Sequence, residues 1–188
     1  MGLSPDVLKR YPIELSGGMK QRAVMVIATL HNPSLLIADE VTSALDVSSQ
    51  RAVAELLVGL RDRGIVRSVV VITHDISILS QIADTILVMY AGKLAEKGAT
   101  DVIVNSPRHP YTRLLISSLP EVGVRYADKQ LCGISGHPPS LLDPPVGCRF
   151  RDRCPLASEQ CTQEPPFVEI EPDHFVACWK ARDHDVDR

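Results

Sequence analysis

Apolar positions along the chain fall into short blocks, and the spacing inside each block sets the element it predicts. Ser4-Pro5-Asp6 reads as the start of a short helix that stops before Tyr11-Pro12. Ser16 can cap a second helix over roughly Gly18 to Leu30, whose middle, Ala23 to Ala28, is apolar all round and predicts burial on several sides. His31-Asn32-Pro33 ends it. The continuous apolar run "LLIA" (35–38) predicts a strand covered on both faces. Asp46 can cap a third helix, with Val53, Leu56, Leu57 and Leu60 at helical spacing and Gly64 past its end. "SVVVITH" (68–74) is β-branched and reads as a second buried strand, and Ser77 to Ala83 as a short helix. "TILVMY" (85–90), Ala91-Gly92 and "KLAEKG" predict an antiparallel hairpin. Strands alternating with helices give an α/β fold with a largely parallel sheet.

Composition changes near Pro120. Residues 121–188 hold eight of the fourteen prolines, all five cysteines, all three phenylalanines and the only tryptophan. A core-forming part and an irregular Cys/Pro-rich extension are therefore expected. The formal net charge of −3 gives no reason to expect a nucleic-acid partner. The apolar runs fall short of the ~18 residues of a membrane span, and the first residues lack the pattern of a signal peptide. A cytosolic chain is the expectation.

In open α/β sheets, ligands gather outside the carboxyl ends of the strands. "LLIADE" finishes with Asp39 and Glu40, and "VVVITHD" with His74 and Asp75. Paired carboxylates there suit a magnesium-nucleotide site, one holding the hard cation and its neighbour polarising an attacking water. A solvated loop at Asp39-Glu40 and a structural His74 are the plainer alternatives. Ser16-Gly17-Gly18 would present uncovered backbone N–H groups at the positive end of a helix, as phosphate requires. A plain turn would use the same residues.

Order and spacing add to this. "LSGGMKQR" (15–22), "LLIADE" (35–40), "SALD" (43–46) and His74 resemble, in sequence and interval, the signature, Walker B, D-loop and switch histidine of the ATP-binding cassette (ABC) ATPases. The resemblance covers about residues 1–98. It implies ATP and Mg2+ as cofactors, Asp39 positioning the magnesium, Glu40 as general base and His74 holding Glu40 and water against the γ-phosphate. It also implies a second ABC ATPase subunit meeting this one head to tail. Ser16, Gly17 and Gly18 would close over the partner's ATP, and Asp46 would lie at the dimer seam. Met19 and Val41 depart from the commonest forms of these motifs.

No G-x-x-x-x-G-K-[ST] occurs in the 188 residues. The fold class expected is thus an incomplete P-loop NTPase-type parallel sheet with an unpaired apolar strand edge at 35–40. Whether the chain is itself an enzyme stays open. Alone, it is predicted to hydrolyse no ATP above background and to be poorly soluble. A misplaced start, a frameshift and a real truncation are equally compatible with the sequence.

"NSPRHPYTRLLISSLP" (105–120) and "GHPPSLLDPPVGCRFRDRCPLASEQC…HFVACW" resemble the C-terminal extension of oligopeptide and dipeptide transporter ATPases. The domains expected are 1–98 (ATPase part), 99–120 (helical connector) and 121–188 (extension). The resemblance implies a peptide-importer subunit, peripheral on the cytoplasmic face of the membrane. Its partners would be two transmembrane permeases and an extracytoplasmic peptide-binding protein. A nickel importer of the same branch, a non-hydrolysing interaction or cluster-binding module, and a dimer half serving an intact partner are the alternatives.

Cys148, Cys154, Cys161 and Cys178 are separated by five, six and sixteen residues, while Cys132 stands apart. A disulfide framework does not suit a reducing cytosol. A [4Fe–4S] cluster, a zinc ion and four reduced thiols remain open, the C-x₂₋₄-C pairs of structural zinc being absent. Some relatives implied by the resemblance carry such a cluster. The run Arg149, Arg151, Arg153 is expected to be a solvated face.

Overall fold

The computed structural model describes residues 2–43, 45–119 and 133–181; Ala44 of the 43–46 segment and Cys132 lie outside them. The chain divides into two units, Met1–Ile82 and Ala83–Arg188.

In the first unit, Ser4 caps a 3-10 turn over Pro5–Lys9, its hydroxyl accepting from the Asp6 N–H. Helix α1 spans Gly17–Thr29 and begins at Ser16, whose hydroxyl accepts from the Met19 N–H. Strand β1 is Leu35–Asp39, helix α2 is Val47–Asp62, strand β2 is Ser68–Ile72 and helix α3 is Ile76–Ile82. Strands β1 and β2 pair in parallel, with Leu35 beside Ser68 and Asp39 beside Ile72. One face of this pair builds the core. Leu36 and Ala38 pack with Met25, Val53, Leu57, Leu60 and Val66, and with the partly buried Val69 and Val71. Gly64, at φ +69, turns the chain after α2 as a C-terminal glycine does.

The opposite sheet face corrects the expected two-sided burial. Leu35, Ile37, Val70 and Ile72 are all about half or more exposed. The register puts them on one side of a two-stranded sheet, where no described residue covers them. Helix α1 differs in the same way. Only Met25 and Thr29 are buried, while Val24, Ile27 and Leu30 face outward. An apolar run sets how much burial a segment can use, and the described residues supply one side of it.

In the second unit, β3 (Thr85–Tyr90) and β4 (Lys93–Ala99) form the expected hairpin, turned at Ala91 (φ 47) and Gly92 (φ 79). Two helices follow, α4 (Thr100–Asn105) and α5 (Pro110–Ser117). Short 3-10 turns at Arg151–Arg153 and Glu159–Thr162 lead to β5 (Val168–Glu171) and β6 (His174–Val176). The sheet runs β3-β4-β6-β5, antiparallel throughout, so the extension completes a sheet that the hairpin begins. Tyr90, Tyr111 and Phe150 form its aromatic core, with ring centroids 4.7 to 5.4 Å apart.

Candidate functional site

Because β1 and β2 are parallel neighbours, their carboxyl ends deliver Asp39-Glu40 and His74 to one side of the sheet. Glu40 leaves β1 with φ 49, a left-handed conformation that costs a side-chain-bearing residue about 1–2 kcal/mol. The turn is held from three directions. The Glu40 N–H donates to the Ile72 carbonyl (2.8 Å), and the Glu40 carbonyl accepts from the Ser43 N–H (3.0 Å) and hydroxyl (2.6 Å). The result is a carboxylate with Oε1 3.1 Å from Nδ1 of His74.

The His74 side chain is 81% exposed, so its far edge remains open to a ligand. Oε2 of Glu40 is buried and has no partner among the described residues. The Glu40 side chain as a whole is 43% exposed, so a small turn of the carboxylate would bring an oxygen to a water held for attack on a phosphate, and would give the buried oxygen the donor it lacks. Asp39 is exposed at the end of β1, where a carboxylate can hold a hydrated Mg2+. These residues fit the donor set of a magnesium-nucleotide corner.

Ser16, Gly17 and Gly18 open α1, and helix geometry leaves the N–H groups of Gly17 and Gly18 without intrahelical acceptors. Neither glycine is required by the described residues. Neither has positive φ, and an added Cβ would stand 3.4 Å from Leu45 at Gly17 and 3.9 Å from Ser49 at Gly18. Those separations are ordinary van der Waals contact. Asp46 lies alongside through Ser49. Its carboxylate accepts from the Ser49 N–H (3.0 Å), the Ser49 hydroxyl (2.7 Å) and the Ser48 hydroxyl (2.5 Å). Those bonds, the Ser48 hydroxyl foremost, hold its pKa well below the usual carboxylate range. The structure thus groups Glu40 with His74, and Gly17 and Gly18 with the α2 cap.

In the second unit, Cys148, Cys154, Cys161 and Cys178 all line one small cavity of about 20 Å³. Burial raises the Cys178 thiol to about 11, and raises those of Cys148 and Cys154; neighbouring thiols add to each shift. All four are free cysteines. Among the described residues no group of three or more His, Cys, Asp or Glu is arranged to hold a metal ion. The [4Fe–4S] expectation therefore finds four convergent thiols but no formed metal site to support it. The cavity has room for about one water.

Two features of this unit escape the sequence patterns. Glu96 is fully buried on β4. Its carboxylate accepts from the backbone N–H groups of Arg108 (2.7 Å) and His109 (3.0 Å) and meets Nε2 of His174 at 2.7 Å. Two of the three arginines of the basic run do not form a solvated face, which corrects that expectation for them, while Arg151 meets only its exposed neighbour Asp152 (3.1 Å). Arg149 donates to the Ala91 carbonyl, and Arg153 donates to the carbonyls of Ser135 (2.8 Å) and Ile134 (2.9 Å) and to the Tyr90 hydroxyl (3.1 Å).

Two family models match parts of the chain. Residues 1–43 match the family model described as ABC transporter, and residues 95–161 that of the oligopeptide/dipeptide transporter C-terminal region. The chain is 42% identical over 177 residues to the probable peptide ABC transporter ATP-binding protein y4tR of Sinorhizobium fredii, covering 94% of this chain and 52% of that protein. It is 44% identical over 173 residues to the dipeptide transport ATP-binding protein DppD of Bacillus subtilis, covering 92% and 51%. With the oligopeptide transport ATP-binding protein OppF of Salmonella typhimurium it shares 41% over 182 residues, covering 96% and 54%. The chain thus spans about half the length of these relatives. No helix among the described residues is long and apolar enough to cross a membrane.

Proposed function

Since the chain is a relative, over about half their length, of the ATP-binding proteins of peptide ABC transporters, we propose that it supplies part of a composite ATP site in a peptide importer. In that site Asp39 positions the hydrated magnesium, Glu40 takes the proton of the attacking water and His74 keeps Glu40 and that water in line. Ser16, Gly17 and Gly18 close over the nucleotide of a second ATP-binding subunit, with Asp46 at the seam. Two membrane-spanning permeases and an extracytoplasmic peptide-binding protein complete the assembly, at the cytoplasmic face of the membrane.

The contact between Glu40 and His74 at 3.1 Å, beside an orphaned carboxylate oxygen, carries the reading. A general base so placed contributes roughly 10²–10⁴-fold. The glycine lip supports the composite half, because no described residue demands glycine at positions 17 and 18. The sequence holds no lysine-bearing phosphate loop, so the chain alone is expected to hydrolyse no ATP above background.

The test is ATP turnover by this chain mixed with a complete ATP-binding subunit of a peptide transporter. Stimulation of turnover by this chain that is lost on Gly17→Asp supports the composite site. Turnover by the chain alone that is abolished by Glu40→Gln would refute the need for a partner.

The convergence of Cys148, Cys154, Cys161 and Cys178 on one cavity favours a second, separable reading in which the extension holds a [4Fe–4S] cluster, for which the thiols would have to part from the one-water spacing seen here. Such a cluster would staple a segment poor in regular structure. Anaerobically purified chain carrying stoichiometric iron, lost on Cys154→Ser, supports it. Chain free of iron and without absorbance near 400 nm leaves four reduced thiols.

A further inference from the structure

The second unit contains a larger cavity, of about 640 Å³, that the ATP-site reading does not use. That volume lies in the range of small-molecule pockets. Its apolar lining comes from both ends of the unit: Met89 and Leu94 from the β3–β4 hairpin, and Pro165, Pro166 and Phe167 from the segment before β5. Phe167 stacks on Phe175 of β6 (centroids 5.7 Å apart), so that wall is built on the sheet.

The charged groups on the lining are unevenly matched. Lys93 and Arg149 are the cations and Glu164 the carboxylate. Nζ of Lys93 lies 2.8 Å from Glu164, with both side chains more than half exposed. Glu164 is held below its usual pKa first by Lys93 and more weakly by Arg149, so both cations act on the same carboxylate. The Arg149 guanidinium is anchored over the hairpin turn by the Ala91 carbonyl. His109 is also on the lining, but burial lowers its pKa to about 4, so it is neutral at physiological pH. The rim therefore carries one positive charge more than its carboxylate neutralises, above an apolar interior.

We propose that this cavity binds a small amphipathic monocarboxylate, its apolar body against Met89, Leu94 and Phe167 and its carboxylate on Lys93 and Arg149. A neutral molecule of the same shape would leave the cation excess unused. A cationic one would meet Lys93 and Arg149 directly. The proposal is independent of ATP chemistry.

The experiment compares octanoate, octanol and octylamine as probes, titrated into the full chain and followed in amide NMR spectra. Octanoate is expected to perturb residues 89–95 and 164–167. Octanol and octylamine should bind at least about tenfold more weakly, the size of one lost charge-assisted hydrogen bond. Two exposed variants check the charge arithmetic. Lys93→Gln should weaken octanoate several-fold, whereas Glu164→Gln, which removes the competing anion, should tighten it. Octanol binding as well as octanoate, perturbations confined to the exposed β1–β2 face, or weakening by Glu164→Gln would each overturn the proposal.

Discussion

Gly147 is the position at which a single methyl group should do most damage. Its φ is +84, and a Cβ built there would lie 2.4 Å from the Thr162 carbonyl oxygen, 2.5 Å from the Thr162 carbonyl carbon and 2.6 Å from the Cys161 oxygen. All three are backbone atoms, so no side-chain rotation relieves the clash. The same approach carries the bond from the Cys148 N–H to the Cys161 carbonyl (3.0 Å), which holds two cavity-lining cysteines side by side. Gly147→Ala adds about 1–2 kcal/mol for a left-handed alanine and about 1–3 kcal/mol for overpacking. The displaced hydrogen bond contributes about 1 kcal/mol more.

The expected loss is thus about 4 kcal/mol, a large part of a unit's stability. Trp179, the only tryptophan, reports on this unit by its fluorescence. In urea, with a slope of about 1.5 kcal/mol per M, the midpoint should fall by about 2–3 M, or the unit should be unfolded without denaturant. Gly59→Ala is the control. It lies inside α2 with nothing within 4 Å of an added Cβ, and should stabilise the first unit by up to about 1 kcal/mol without moving the Trp179 transition. A Gly147→Ala variant within about 0.5 kcal/mol of the parent, the scatter of ordinary surface changes, would refute the close approach of 147 to 161–162.

Three further outcomes are expected. Burial places the His109 pKa near 4 against its ordinary 6.5. Below pH 6.5 the unfolded chain therefore takes up the proton first, and the stability of the second unit falls as pH drops from 6.5 towards 4. The loss is at most about 3 kcal/mol, read as the difference between wild-type and His109→Gln Trp179 melts at each pH; parallel curves would contradict it. Glu96→Ala leaves three donors without an acceptor in the interior and should cost about 4 kcal/mol in the same assay, whereas a loss under 1 kcal/mol would show that water replaces the carboxylate. Ile37 is 60% exposed on the open sheet face. Ile37→Lys should raise soluble yield while shifting the midpoint by less than about 0.5 kcal/mol; unchanged aggregation would remove that face as its cause.

What was legible in the sequence was local. Ser16 and Asp46 announce their helices because a cap is a short-range bond from a side chain to an N–H three residues on. The pairing of Glu40 with His74 follows from two apolar runs ending in polar residues, once the strands are taken as parallel neighbours. What stayed hidden was tertiary. "KLAEKG" gives no sign that Glu96 goes inside, because its acceptor role is defined by N–H groups twelve and thirteen residues on and by a histidine seventy-eight residues away. Arg149 and Arg153 of "CRFRDRC" look solvated for the same reason: the carbonyls that engage them come from 91, 134 and 135. The apolar run 35–38 states a capacity for burial on two sides, but the described residues cover only one.

Strand β4 lies between β3, which is contiguous with it, and β6, which reaches Glu96 from seventy-eight positions downstream. On a ribosome adding about 5–20 residues per second, the hairpin must wait about 4–16 s before that edge can be closed. Until then a carboxylate meant for the interior stays hydrated, and an open ladder is offered to any passing strand. Nascent chains of this protein should accordingly recruit holding factors between the synthesis of the hairpin and that of residue 176, and a stall in that window should send them to proteolysis.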